Sequence, residues 1–147
     1  MTPLTQLLYF KTVLGPEILT ICQYTTHQFT YPTTINLTLN YFLESRHLSL
    51  TLQTKQAKQL LKIRKIVPIF INSDITLFPV KPQRSPIQYY INAIPITGLK
   101  SKGTQTIIYF ENATYITVNA TYITVNASYV FIHKKWQESL TLSHHLT

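Results

Sequence analysis

The chain has few of the residues that most catalytic and secreted proteins depend on. Only one cysteine, three glycines and five acidic residues occur among its 147 positions. A lone Cys22 allows no intrachain disulfide and no cysteine-built zinc site, and it fits a reducing compartment. Three glycines leave no phosphate-cradling loop and no dinucleotide fingerprint. The carboxylates Glu17, Glu44, Asp74, Glu111 and Glu138 are scattered along the chain. That spacing offers no paired acid/base site. The histidines at 27, 47, 133, 144 and 145 follow no metal-ligand spacing. No apolar run approaches the ~18 residues that a membrane helix needs. The N-terminal stretch has no basic leader, Lys11 interrupts its apolar run, and no small-residue cleavage site follows. The expectation is a cytoplasmic protein that is not an enzyme and uses neither metal nor cofactor.

What is present is a globular composition with a strong basic imbalance. Hydrophobic residues make up 45% of the chain, enough for a buried core in one domain spanning 1–147. Thirteen Lys+Arg against five Asp+Glu give a net charge of +8 and a pI near 9.6. Such an excess favours a polyanionic partner.

Periodicity predicts an α+β fold: a small β-rich domain with one short, basic, amphipathic helix. Residues 4–13 fit a helix or a strand, and Gly15-Pro16 marks a turn. The β-branched and aromatic run 18–24 reads as a strand. Residues 35–42 alternate, with Ile35, Leu37, Leu39 and Tyr41 on one face, and read as a half-buried strand. Alternation persists briefly over 48–52. A helix is then expected over about 55–64, capped by Thr54, with Ala57, Leu60 and Leu61 facing inward.

Two apolar runs, 66–71 and 75–78, flank Asn72-Ser73-Asp74 and predict a hairpin. Residues 81–86 form a basic loop stiffened by two prolines. A strand over 87–96, a Lys-bearing turn over 98–103 and a strand over 104–110 follow. Residues 133–147 read as a short polar tail.

A seven-residue unit, NATYITV, occurs at 112–118 and again at 119–125, with a looser copy, NASYVFI, at 126–132. An odd repeat in a continuous strand would turn Tyr115 and Tyr122 to opposite faces. The second copy therefore reads as a duplication that lengthens a strand or hairpin. The glycosylation-like triplets at Asn36, Asn112, Asn119 and Asn126 arise from chance and from this repeat.

The densest stretch is 53–91. Lys55, Lys58, Lys62 and Lys65 fall 3, 4 and 3 residues apart, which on a helix makes one stripe. Like charges in a stripe repel one another unless a polyanion lies along them. Lys81 and Arg84 in the proline loop, Lys100 and Lys102 in the turn, and Lys134 and Lys135 extend the basic set. Between Glu44 and Glu111 only Asp74 offsets it. Phosphate contacts by such residues supply affinity without reading sequence. Arg84 is the candidate to enter a narrow, electronegative minor groove.

Leu77-Phe78-Pro79, then Pro86 and Tyr90-Ile91, preceded by Lys62-Ile63 and Pro68-Ile69, resemble the ComK family of competence transcription factors in order and spacing. Val80 stands where that family usually has Thr, Tyr90 where it has Trp, and Ala93 where a His is common. Gln88 stands where a Cys can occur. The resemblance spans roughly 62–136. It implies a cytoplasmic, DNA-binding activator of competence genes that binds paired A/T-rich boxes of double-stranded DNA, largely through the minor groove. It also implies a homo-oligomer on DNA and a proteolytic adaptor as partner. The rival reading is a non-enzymatic interaction protein, or a degenerate family member without activator function. The aromatic runs leave a third, an RNA binder, although no known RNA-binding motif is present.

Overall fold

The computed structural model describes residues 5–81, 85–111 and 121–147. Strands β1 (Leu7–Val13), β2 (Leu19–Tyr24) and β3 (Gln28–Tyr31) form an antiparallel meander. Helices α1 (Ile35–Glu44) and α2 (Leu50–Leu61) follow. A second meander, β4 (Ile69–Asn72), β5 (Ile75–Pro79) and β6 (Tyr89–Asn92), returns so that β6 pairs with β1. The result is a six-stranded sheet in the order β3-β2-β1-β6-β5-β4. Strands β7 (Ile96–Lys102), β8 (Gln105–Phe110) and β9 (Thr121–Val125) make a separate three-stranded sheet, and α3 (Tyr129–Leu146) closes the chain. The fold is α+β and mostly β, as composition and periodicity predict.

The central strands β1, β6 and β5 of the larger sheet are buried on both faces, whereas the edge strand β3 is exposed. Leu8, Phe78 and Ile91 pack with Phe110 and Ile108 of the second sheet and Ile132 of α3. Their neighbours Phe10, Leu77 and Tyr90 point the other way, onto Leu39 and Leu43 of α1. A bulge between Leu7 and Tyr9 shifts the alternation within β1. A third cluster ties α2 to α3 through Ala57, Val67 and Leu142.

Two buried side-chain amides complete the strand ladder around β6. The Asn92 Oδ1 accepts from the Thr76 N–H at 3.1 Å, and its Nδ2 donates to the carbonyls of Leu7 at 2.8 Å and Asp74 at 2.9 Å. The Gln88 Oε1 accepts from the N–H groups of Lys81 at 2.9 Å and Tyr89 at 3.0 Å. Buried polar groups are tolerated where such partners exist.

Several expectations change. The alternating segment 35–42 is helix α1, not a strand. Thr34 caps it by accepting from the Leu37 N–H at 3.3 Å, and Ile35, Leu39 and Leu43 recur every fourth residue on its buried face. Leu37 and Tyr41, assigned to that same face, are exposed. Helix α2 is capped by Ser49, whose side chain accepts from the Leu52 N–H, so Thr54 lies inside the helix. Ala57 and Leu61 pack inward as expected, whereas Leu60 is exposed. The predicted turn 98–103 is largely strand β7, and the turn itself sits at Gly103, where φ is +61°.

The predicted tail 133–147 is most of α3, with Ile132 and Leu142 fully buried. It is therefore a structural helix of the core. Tyr115 and the rest of 112–120 lie outside the described residues. The later repeat copies diverge in structure. Tyr122 lies in β9, while in the third copy Ser128 caps α3 and Tyr129 opens it. The β4–β5 hairpin forms as predicted, and the Asn72 side chain accepts from the Asp74 N–H at 2.8 Å in its turn.

Candidate nucleic-acid interface

One face of α2 and the β4–β6 side of the large sheet enclose a cleft of about 990 Å³. The helix contributes Thr51, Thr54, Lys55 and Lys58. Their spacing is that of a single helical face, which explains why the first two lysines of the stripe emerge together. Beyond the helix, Arg64 and Lys65 continue the cationic rim, and Lys81 joins it from the end of β5. Val67, Ile69, Pro79 and Tyr90 form an apolar floor. Five cationic side chains thus border one cleft, and among the described residues no carboxylate lines it.

Local structure fixes these positions. The Gln53 side chain donates to the Phe70 carbonyl at 2.6 Å, which docks α2 along the edge strand β4. That contact also covers a strand edge that would otherwise be open. At the opposite rim, the Lys81 Nζ donates to the Asn126 carbonyl at 2.6 Å, linking the cleft to the turn before α3. An ammonium has three donors, so this bond leaves Lys81 able to meet an anion. The rim's backbone is unusual at Ile66, where φ is +52°. A β-branched residue rarely adopts that conformation, and here it lies between Lys65 of the rim and Val67 of the core.

The structure brings Lys55, Lys58, Lys65 and Lys81 together and separates the remaining predicted residues. Lys62 is not part of the cleft lining. Helix α2 stops at Leu61, and Lys62 forms its C-cap in the left-handed conformation, with φ at 56°. The stripe is interrupted there rather than continued. Lys100 and Lys102 lie on β7 in the second sheet. Lys134 is exposed, but Lys135 is buried and paired with Glu138 at 2.8 Å. Lys135 is thereby removed from the basic surface. Arg84 lies outside the described residues. Arg64 was not singled out from the sequence. Its signal was the run Lys62 to Lys65 just past the helix end, where a basic residue can face back toward the helix.

The other chemistry-bearing groups are dispersed. Cys22 is buried in the core, and burial, offset in part by Tyr24, pushes its thiol up to about 11. Such a thiol stays protonated and unreactive at neutral pH. Arg46 stacks on the Phe42 ring at 3.7 Å, beside a second hollow of about 540 Å³. Among the described residues no helix is long and apolar enough to cross a membrane. No family model, curated protein or solved structure matches this chain.

Proposed function

We infer that this chain is a DNA-binding protein that seats the phosphate backbone of a duplex along the cleft between α2 and the large sheet. The observation behind this reading is the convergence of Lys55, Lys58, Arg64, Lys65 and Lys81 on one cleft with no lining carboxylate among the described residues. Clustered cations without acids hold backbone phosphates and release condensed counterions on binding. The resemblance to the ComK family extends the reading to a cytoplasmic activator of competence genes. Such an activator would bind A/T-rich boxes as a homo-oligomer, answer to a proteolytic adaptor, and insert Arg84 into the minor groove. Lys100 and Lys102 would add phosphate contacts outside the cleft.

The apolar floor of Val67, Ile69 and Tyr90 favours a second reading, an interaction module that seats an apolar segment of a partner protein. A mobility-shift titration of the double variant Lys58→Ala/Lys65→Ala separates the two. Duplex binding predicts a uniform loss of affinity across sequences and a salt slope shallower by about 1.8, or 0.9 per phosphate contact. An unchanged slope counts against the cleft as the DNA site.

A further inference from the structure

The outer face of the second sheet has a different character from the cleft. Strand registers place its residues in rows. Gly98 is opposite Tyr109, which is opposite Tyr122. The next row is Lys100, Ile107 and Thr124. Lys102 then faces Gln105. The alternate residues point inward, and Ile108, Ile123 and Val125 are buried in the core that α3 covers. The sheet is therefore one-sided, with tyrosines and lysines outward.

The Tyr109 and Tyr122 rings are neighbours at 6.0 Å between centroids, tilted by 47°. Tyr122 is 62% exposed. Among the described residues a Cβ added at Gly98, the β7 partner of Tyr109, would meet nothing within 4 Å. Tyr122 is thus open to solvent with a half-buried Tyr109 beside it, an aromatic pair on which a planar group can stack. Lys100 and Lys102 are both exposed and two residues apart on one strand. That places their Cβ atoms about 6.8 Å apart on the same side as the tyrosines, a spacing comparable to successive phosphates of an extended strand. No acidic residue occurs in any of these rows.

We propose that this face is a binding platform for single-stranded DNA, with bases stacked on Tyr109 and Tyr122 and phosphates held by Lys100 and Lys102. Aromatic stacking tolerates any base, and lysines supply the backbone attraction. Deoxyribose fits the middle row better than ribose. The group at its centre is Ile107, which packs on a deoxyribose and offers a 2′-hydroxyl no hydrogen bond; only Lys100 and Thr124 at the ends of the row could meet one. This site lies outside the duplex-binding cleft and needs none of its five cations; a single strand held here would compete with a duplex only for Lys100 and Lys102.

The test is fluorescence anisotropy of a labelled short oligo-dT, with an abasic strand of equal length and an oligo-U as controls. Tyr122→Ala is expected to weaken binding about tenfold, and Tyr122→Phe to preserve it. Lys100→Ala/Lys102→Ala is expected to make the salt slope shallower by about 1.4, at 0.7 per phosphate of a single strand. The abasic strand is expected to bind more weakly than oligo-dT, and oligo-U no tighter. All three positions are exposed, and circular dichroism of each variant verifies the fold. Equal binding of the abasic strand, wild-type affinity in Tyr122→Ala, or no binding of oligo-dT by the wild-type protein would overturn the platform. A loss seen instead in Lys58→Ala/Lys65→Ala would assign the strand to the cleft. Tighter binding of oligo-U would overturn the choice of sugar.

Discussion

The Gln88 side chain grips Lys81 at both backbone groups, accepting from its N–H at 2.9 Å and donating to its carbonyl at 2.6 Å. One buried amide thus does what a partner strand would do, just beyond the last β5–β6 pair at Pro79 and Tyr90. It holds Lys81 at the rim of the basic cleft, where the ammonium reaches Asn126. Gln88→Leu removes these partners while keeping an apolar volume. The expected cost is about 3 kcal/mol, because buried backbone groups lose their bonds. Urea unfolding measures it, and duplex affinity is expected to fall with it as Lys81 loses its fixed position.

The Lys135–Glu138 pair is the one ion pair among the described residues, and both side chains are largely buried. Breaking a buried pair leaves an uncompensated charge, whereas replacing both partners with apolar residues avoids that penalty. Glu138→Ala is expected to destabilise by about 3 kcal/mol. The double change Lys135→Met/Glu138→Leu is expected to recover most of that loss in the same denaturant titration.

Lys62 ends α2 with φ at 56°, a conformation in which glycine carries no side-chain penalty. Lys62→Gly is expected to stabilise the protein by about 1 kcal/mol. Duplex affinity is expected to change little, since Lys62 does not line the cleft. Thermal unfolding and a mobility shift on the same variant check both parts.

How legible these features were in the sequence depends on the range of the interactions that fix them. The β4–β5 hairpin was readable because its turn chemistry is local: Asn72 folds its side chain back onto Asp74. Helix α1 was misread because 35–42 fits two periods at once. Alternation puts Leu37 with Ile35, whereas packing on Phe10 and Leu77 selects Leu39 and Leu43. The lysine stripe was half legible. Lys55 and Lys58 follow from helical spacing, but the left-handed cap at Lys62 follows from where α2 must stop to let the chain enter β4. The rows on the second sheet needed the pairing of Gly98, Tyr109 and Tyr122, which alternation within a single strand does not specify.

Alkaline stability depends on buried acids whose titration burial delays: Cys22 and Tyr24, with Tyr9, Tyr89 and Tyr90 raised in the same direction. Burial raises the Cys22 thiol from 9.0 to about 11 and the Tyr24 hydroxyl from 10.0 to about 12. The folded protein then keeps protons that the unfolded chain has already released. The contribution of these two groups to stability is therefore full below pH 9 and falls as pH rises through the window to about 12. Cys22→Ala is expected to flatten the decline between pH 9 and 11, measured as the urea midpoint against pH. Wild-type slope in that variant would remove Cys22 from the explanation.

The central claim, that the acid-free cleft is a duplex-binding site, is tested most directly by a mobility-shift titration over a range of salt concentrations. The duplexes are an A-tract/T-tract fragment and a shuffled fragment of equal composition. Five cations border the cleft, so log affinity is expected to fall with log salt at a slope of about −4.5, at 0.9 per phosphate. Tighter binding to the A-tract fragment is also expected, as minor-groove recognition requires. Absence of binding to either duplex, or binding indifferent to salt, would contradict the account and leave the apolar floor of the cleft as the feature to explain.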